Sequence, residues 1–332
     1  MIFKLLLLFL FVILIFQFTI FRMKFIYKIS FLTKLYNFAI WVKNKPKILI
    51  MGSSFARHHI IPEIIAKQSN KYSYSEIYNV GNNSATPFQM YITFLKNKNK
   101  FKNLDIVYHT LDPHILGEKF YPYCKYEIIL LSFKQWNYLF THHRKYMKET
   151  LKLSYYTYFF PIIFFYKTLE FNRPIFSGRN NGFDPLKHKD FRATKPNTIK
   201  KYFYEPLFLF PISNFQIYYL KKLKEEVEKL NSKFILILTP SYSWNTHYKN
   251  EAKEYDTKLI QELQRILGDS VILGSMNKDD FDLEYTHFWD DTHLAENGAV
   301  LFTQLLFKNI DFHDKIEPKK INHLFNYIFK DI

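Results

Sequence analysis

The sequence Lys-Ile-Leu-Ile-Met-Gly-Ser-Ser at residues 47–54 decides the fold. A continuous apolar run of this kind is typical of a strand that is buried on both faces, as in a parallel sheet. The small residues that follow it predict a sharp turn, which exposes a serine at the carboxyl end of the strand. The stretch therefore predicts the first strand of an α/β domain and a candidate nucleophile, Ser54.

Apolar runs and helical patterns alternate along much of the remaining chain. Further strands are predicted at residues 76–80, 105–111, 234–238 and 271–273. Helical patterns cover residues 60–67, which continue a helix that follows the first strand, and residues 88–95, 215–230, 251–267 and 295–307. Strands separated by helices favour a parallel sheet that is covered on both faces. We therefore expect one α/β/α domain over residues 46–332.

Residues 120–211 do not follow this alternation. Aromatic side chains crowd the segment between Tyr155 and Tyr166, and polar residues dominate between Ser177 and Thr198. We interpret the segment as a helical, aromatic-rich insertion that lies over the carboxyl edge of the sheet or against a membrane.

The sequence Phe-Trp-Asp-Asp-Thr-His-Leu at residues 288–294 carries the second part of a candidate site. An Asp three residues before a His allows a short turn to aim the carboxylate of Asp290 at the imidazole of His293. An imidazole fixed in this way can take the proton of a serine hydroxyl, which makes the serine nucleophilic. Ser54, His293 and Asp290 therefore predict a catalytic triad, which needs no cofactor. The backbone amide of Ser54 or its neighbour, and the turn at 81–84, are candidate donors to an oxyanion.

Two alternatives to the triad of Ser54, His293 and Asp290 are open. Asp291 could orient His293 in place of Asp290. His287, with these carboxylates and His293, could instead hold a divalent metal ion, although no third segment offers an obvious ligand. The lack of a third ligand segment favours the triad over a metal ion, and we expect no metal site.

Arg57 and His58 follow Ser54 by about one helical turn. Two interpretations are open: they line the substrate pocket near a phosphate or carboxylate group, or they are ordinary packing and surface residues.

The amino-terminal segment has the features of an uncleaved membrane anchor. Residues 5–21 are almost wholly apolar and would span about 25 Å as a helix, which is near the lower limit for crossing a bilayer. No small-residue cleavage site follows the segment, so residues 1–24 predict a transmembrane signal anchor. Residues 25–45 are aromatic-rich and basic, as in an amphipathic segment at the membrane surface. The flanking positive charges do not fix the orientation.

The formal net charge of +16 does not require a nucleic-acid partner. Residues 1–50 contain eight Lys or Arg residues and no acidic residue. About half of the excess positive charge therefore flanks the apolar segment, where anionic lipid headgroups are the natural partner. Cys124 is the only cysteine, which excludes an internal disulfide and a cysteine-based zinc site.

The motifs together resemble the SGNH/GDSL hydrolase superfamily. The first block of that superfamily, usually Gly-Asp-Ser, corresponds to residues 52–54, with Ser54 as the nucleophile. The last block, Asp-x-x-His-Leu-Asn-x-x-Gly, corresponds to Asp290–His293 with Leu294 and, more loosely, Asn297 and Gly298. The resemblance covers roughly residues 46–112 and 232–310.

The middle blocks of the superfamily match less well. The second block resembles residues 78–84, where Ser84 stands in place of the glycine that contributes to the oxyanion site. The third block, Gly-x-Asn-Asp, would fall on residues 109–112, where Leu111 replaces the asparagine that donates a side-chain hydrogen bond. The resemblance implies a flavodoxin-like three-layer α/β/α fold. The candidate oxyanion and substrate-binding residues are Gly52, Gly81 and Ser84, with Arg57 and His58 added by their position after Ser54.

The resemblance is to the membrane-anchored branch that acts in cell-envelope polymer acylation, such as teichoic-acid D-alanylation and alginate or peptidoglycan O-acetylation. It implies a serine esterase or O-acyltransferase that acts on an envelope glycan or polymer. It further implies a single-pass protein of the inner (cytoplasmic) membrane whose domain faces the periplasm or the outside. The alternative, which Leu111 favours, is a weakly active or inactive adaptor for a membrane-bound O-acyltransferase.

Overall fold

The computed structural model describes residues 46–81, 85–111, 116, 180–186, 213–242, 249–268 and 271–315. The strands are β1 (Ile48–Met51), β2 (Ile77–Asn79), β3 (Ile106–Leu111), β4 (Lys233–Leu238) and β5 (Val271–Gly274). The α-helices are α1 (Ser54–His59), α2 (Pro62–Gln68), α3 (Pro87–Asn97), α4 (Asn214–Glu228), α5 (Lys249–Leu267) and α6 (Glu296–Leu306). Short 3₁₀ helices cover Tyr74–Glu76, Lys98–Lys100, Asn180–Gly182, Lys278–Phe281, Tyr285–His287 and Ile310–Lys315.

The five strands form one parallel sheet in the order β2-β1-β3-β4-β5. This confirms the predicted α/β class and each predicted strand to within a residue or two. The order 2-1-3-4-5 is that of flavodoxin-like sheets, in which the chain winds outward from β1 in one direction and then in the other. The point at which the direction reverses lies between β1 and β3, and ligands of such sheets bind beyond the carboxyl ends of the strands there.

Both faces of the sheet are buried. Ile48, Tyr108 and Ile237 belong to a core cluster that includes Ile65 of α2 and Phe302 of α6. Alternate residues along each strand point to the opposite face. On that side α4 contacts β4 and packs against α3. All the described residues belong to one compact unit.

The helix predicted to follow β1 without a break is in fact two helices. Pro62 is the first residue of α2, and a residue that precedes proline is disfavoured in the helical conformation. Ile61 is accordingly extended, with φ −104° and ψ 107°. The side chain of Thr303 of α6 bonds the backbone at this break between the two helices. Its hydroxyl donates to the carbonyl of His59 at 3.1 Å and accepts from the N–H of Ile61 at 3.2 Å.

The predicted anchor at 1–24, the basic segment at 25–45 and most of the predicted insertion at 120–211 lie outside the described residues. Within the described ranges, none of the helices combines the length and the apolar character that a bilayer crossing requires. Residues 180–186 are the described part of the predicted insertion. They run beside β2, where the side-chain amide of Asn181 donates to the carbonyls of Tyr74 and Ile77.

Candidate active site

Ser54 follows β1 at the point where the sheet reverses its winding direction. The turn between the strand and α1 depends on Gly52, whose φ is 136°. A β-carbon on Gly52 would lie 2.1 Å from the hydroxyl oxygen of Thr110 on β3. Only glycine therefore allows β1 to turn this close to β3. Ser53 caps α1 by accepting the N–H of Phe55 at 3.2 Å, so Ser54 is the first residue of the helix.

His293 reaches Ser54 from a tight loop that precedes α6. Phe288 and Leu294 pair as an isolated antiparallel bridge, and the N–H of Trp289 donates to the carbonyl of His293 at 2.8 Å. The bridge closes the loop at its base. As a result, the loop presents the imidazole of His293 to the hydroxyl at the start of α1.

The three predicted triad residues are connected by hydrogen bonds. Nε2 of His293 lies 2.9 Å from Oγ of Ser54. Nδ1 of His293 lies 2.8 and 3.0 Å from the two carboxylate oxygens of Asp290. Because a carboxylate can only accept, Nδ1 carries the hydrogen and Nε2 is free to accept the hydroxyl proton. The arrangement is that of a nucleophile, a base and an orienting acid.

The carboxylate of Asp290 is itself fixed by the loop. Its Oδ1 accepts the backbone N–H groups of Thr292 at 2.8 Å and His293 at 2.7 Å, and the hydroxyl of Thr292 at 3.0 Å. Burial alone would raise the pKa of Asp290. The hydrogen bonds from His293 and from the loop amides outweigh that effect and hold the pKa below its ordinary value. Asp290 therefore stays ionised beside His293.

The alternative acid, Asp291, lies next to this network. It is buried, and its carbonyl accepts the hydroxyl of Ser241 at 3.1 Å. The carboxylate that bonds Nδ1 of His293 is that of Asp290. Of the two candidate acids, Asp290 is therefore the one that the loop places to orient the imidazole.

Arg57 and His58 are both buried, and both contact Asp184. The guanidinium of Arg57 forms an ion pair with the carboxylate of Asp184, and Nδ1 of His58 donates to the Asp184 carbonyl at 2.6 Å. Burial is the main cause that lowers the pKa of His58 to about 4. The charge of Arg57 is therefore compensated within the protein, and these contacts fasten residues 180–186 to α1.

Asp184 was not identified from the sequence. It is 127 positions from Arg57 and belongs to no motif, inside a segment predicted only as an insertion. An acidic residue within a polar stretch carries no local signal that would distinguish it from a solvated one.

Asn79 is a second site-building residue that the sequence did not reveal. Its side-chain amide donates to the carbonyls of Ala56 at 2.5 Å and Ile60 at 3.1 Å, which fixes α1 against β2. Its Oδ1 accepts the N–H of Gly81 at 2.9 Å. A β-carbon on Gly81 would lie 2.6 Å from the backbone nitrogen of Arg57, so Gly81 allows close packing against α1.

Three further residues that correspond to the sequence motifs, Leu111, Gly298 and Asn297, belong to the described part of the chain. Leu111 is buried at the end of β3, paired in register with Leu238. Gly298 packs against the carbonyl of His287, and a β-carbon there would lie 2.1 Å from that oxygen. The side-chain amide of Asn297 donates to the carbonyl of Thr286 at 3.1 Å. Ser84 lies outside the described residues.

The alternative metal site would combine His287 with Asp290, Asp291 and His293. Nδ1 of His287 accepts the N–H of Glu284 at 2.9 Å, which occupies one of its ring nitrogens. Across the described parts of the chain, no group of three or more His, Cys, Asp or Glu side chains is placed to hold a metal ion.

Comparison with known proteins adds no family to this description. Models of known protein families do not match the chain, and neither does any curated protein sequence.

Proposed function

We propose that the chain is a serine-dependent ester hydrolase or O-acyltransferase of the SGNH type. The observation that carries the proposal is the continuous series of hydrogen bonds from Asp290 through His293 to Ser54, with Nε2 of His293 at 2.9 Å from the serine hydroxyl. Residues that pack for stability alone have no need of a hydroxyl, an imidazole and a carboxylate in this order at a sheet's switch point.

The reaction follows from the protonation states of the three side chains. Oγ of Ser54 attacks an acyl carbonyl carbon while Nε2 of His293 takes the hydroxyl proton. Asp290 stabilises the imidazolium that forms. The tetrahedral intermediate collapses as His293 returns the proton to the departing alcohol oxygen, which leaves an acyl group on Ser54. Water or a sugar hydroxyl then gives its proton to His293 and attacks the acyl carbon. The second tetrahedral intermediate collapses as His293 returns that proton to Oγ of Ser54, which releases the acid or the new ester and regenerates the site.

Leu111 limits how well this site stabilises an oxyanion. A side-chain donor at this position is what the resemblance leads one to expect, and the loss of one such donor typically costs about 2.7–4 kcal/mol of transition-state stabilisation. The N–H of Ser54, as the first in α1, has no acceptor within the helix and is a candidate donor. A slow acyl transfer to a positioned acceptor fits this site better than fast hydrolysis.

The substrate is proposed to be an acylated envelope glycan or polymer, and the setting a membrane. Both proposals rest on the resemblance described above and on the apolar, basic character of residues 1–45. They place the protein in the inner membrane with its α/β domain on the periplasmic or outer side, next to a membrane-bound O-acyltransferase.

The experiment that tests the proposal is labelling with a fluorophosphonate probe, which reacts with activated serines. The full chain in detergent micelles should be labelled, and the Ser54→Ala and His293→Ala variants should not. Asp290→Asn should slow labelling by several orders of magnitude, because the amide no longer holds the imidazole in its basic tautomer. The matched variant Asp291→Asn should retain labelling within about tenfold. Unlabelled wild type that is well folded would contradict the proposal.

A second candidate function, that of a non-catalytic adaptor for the acyltransferase, is favoured by Leu111. The two functions differ in what Ser54 does in the cell. In the adaptor case, a strain carrying Ser54→Ala would keep normal polymer acylation while a deletion strain loses it. In the enzyme case, both strains would lose it.

A further inference from the structure

His59 connects the two halves of the candidate site. It is the last residue of α1, and its side chain is completely buried. The backbone N–H of Leu294 donates to Nε2 of His59 at 3.1 Å. Because Leu294 directly follows His293, this bond ties the helix that begins with Ser54 to the loop that presents the base.

The ring of His59 must be neutral to make this bond. Nε2 accepts a hydrogen, so the hydrogen of the neutral ring is on Nδ1. Burial, and then the nearby imidazoles of His293 and His58, hold the pKa of His59 well below its ordinary value. The ring therefore keeps an acceptor towards Leu294 throughout the neutral range.

The Nδ1 hydrogen of His59 has no hydrogen-bond partner among the described residues. A buried donor that is left unsatisfied costs about 1–3 kcal/mol. An apolar side chain would remove that cost, but it would leave the buried N–H of Leu294 unsatisfied at a similar cost. The two effects nearly cancel in the free energy of unfolding, so stability alone does not explain a histidine here.

The position of the ring does provide an explanation. The His59 ring stacks on Phe55 with the centroids 4.8 Å apart, and its centroid lies 6.0 Å from that of His293, nearly perpendicular to it. The hydroxyl of Thr303 donates to the His59 carbonyl, which fixes the end of α1 against α6. His59 is thus held from three sides, and it fixes the backbone next to the candidate base.

We propose that His59 is a positioning residue for the triad: by holding the N–H of Leu294, it sets the distance between Nε2 of His293 and Oγ of Ser54. The inference rests on the proposed function for its effect on reactivity. The bond itself can be measured without any reaction.

The test compares His59→Met with His59→Gln in the full chain in detergent micelles. The two side chains have similar length and no β-branch, but only glutamine has an oxygen that can accept the Leu294 N–H. Two quantities are measured: the fluorophosphonate labelling rate of Ser54, and the hydrogen-exchange rate of the Leu294 amide, read from overlapping peptides across 288–296. The midpoint of thermal unfolding is recorded for each variant.

We expect His59→Met to slow labelling by about tenfold to a hundredfold, which is the scale of a misplacement of about 1 Å. It should also speed exchange at Leu294, with little change in the unfolding midpoint. His59→Gln should restore both quantities towards the wild-type values.

Three other results would overturn either this inference or the proposed function. Unchanged exchange at Leu294 in His59→Met would overturn the inference whatever the labelling shows. Faster exchange with an unchanged labelling rate would show that the bond exists but does not position the base, and would also overturn it. An unlabelled wild type with the expected exchange pattern would overturn the proposed function and leave the anchoring of Leu294 by His59 supported.

Discussion

Because glycine has no side chain, Gly52 allows the turn that places Ser54 at the end of β1. The backbone there has a positive φ, and the nearest atoms to an added β-carbon are the hydroxyl and carbonyl oxygens of Thr110, at 2.1 and 2.9 Å. The carbonyl cannot move without disturbing β3. The position of Ser54 is therefore coupled to the neighbouring strand through Gly52.

Gly52→Ala should lower the free energy of unfolding by about 3 kcal/mol, as the sum of a left-handed backbone penalty and an overpacked contact. The matched control is Gly268→Ala, which also has a positive φ, of 62°, but has no atom within 4 Å of the added β-carbon. It should cost only about 1 kcal/mol. Urea unfolding followed by circular dichroism measures both variants. Equal costs would show that the contact with Thr110 relaxes freely.

The choice between two adjacent acids also belongs to the residue scale. The sequence motif indicates that an acid near His293 orients it, and the resemblance to the SGNH motif is what favours Asp290 over Asp291. The deciding factor is the closed loop, in which the amides of Thr292 and His293 both point at Asp290. Such loop geometry depends on the Phe288–Leu294 bridge, which a linear motif does not encode.

Among the elements, strand β3 carries a buried histidine, His109. His109 is 2% exposed, and neither ring nitrogen has a hydrogen-bond partner among the described residues. Burial lowers its pKa from 6.5 to about 4. The unfolded chain therefore binds a proton between these two pH values that the folded chain does not bind. Stability consequently falls as the pH is lowered from about 6.5 towards 4.

His109→Leu should remove this part of the acid sensitivity. Between pH 7.5 and pH 5, the wild type should lose about 2 kcal/mol more unfolding free energy than the variant, from 1.36 kcal/mol per pKa unit. Urea unfolding at the two pH values gives the comparison, and each protein at pH 7.5 is its own reference. Parallel pH dependences in the two proteins would contradict the prediction.

The regular elements were largely predictable from the sequence. Strands buried on both faces read as continuous apolar runs, and Asn231 and Gly268 mark the ends of α4 and α5 with positive φ angles of 59° and 62°. The break between α1 and α2 was missed, although Pro62 signals it. The contacts of Asp184, Asn79 and His59 could not be predicted, because each bonds to atoms that are distant in sequence or belong to the backbone.

For the whole molecule, the distribution of charge and apolar residues leads to a prediction about location. The first 50 residues hold eight of the 46 basic residues and none of the 30 acidic ones. We propose that residues 5–21 anchor the α/β domain to a bilayer, with the basic residues at the headgroups.

The full chain should therefore remain in the membrane pellet after alkaline carbonate extraction. A variant with Leu10→Arg and Ile13→Arg should be released, because each arginine near the centre of a spanning helix costs about 2.5–3.5 kcal/mol. Release by carbonate of the unsubstituted chain would show only peripheral attachment. Fractionation with immunoblotting distinguishes these outcomes.

The strand order has a consequence for when the site can exist. Ser54 and His293 are 239 positions apart, and four of the five strands of the sheet, β2 to β5, lie between them in the chain. A growing or truncated chain that has folded only its first strands already contains the serine but lacks its base. In such a chain the Ser54 hydroxyl has no imidazole to take its proton and is not activated. Under the proposed function, an activated serine would exist only once the last strand and the loop that carries His293 are in place.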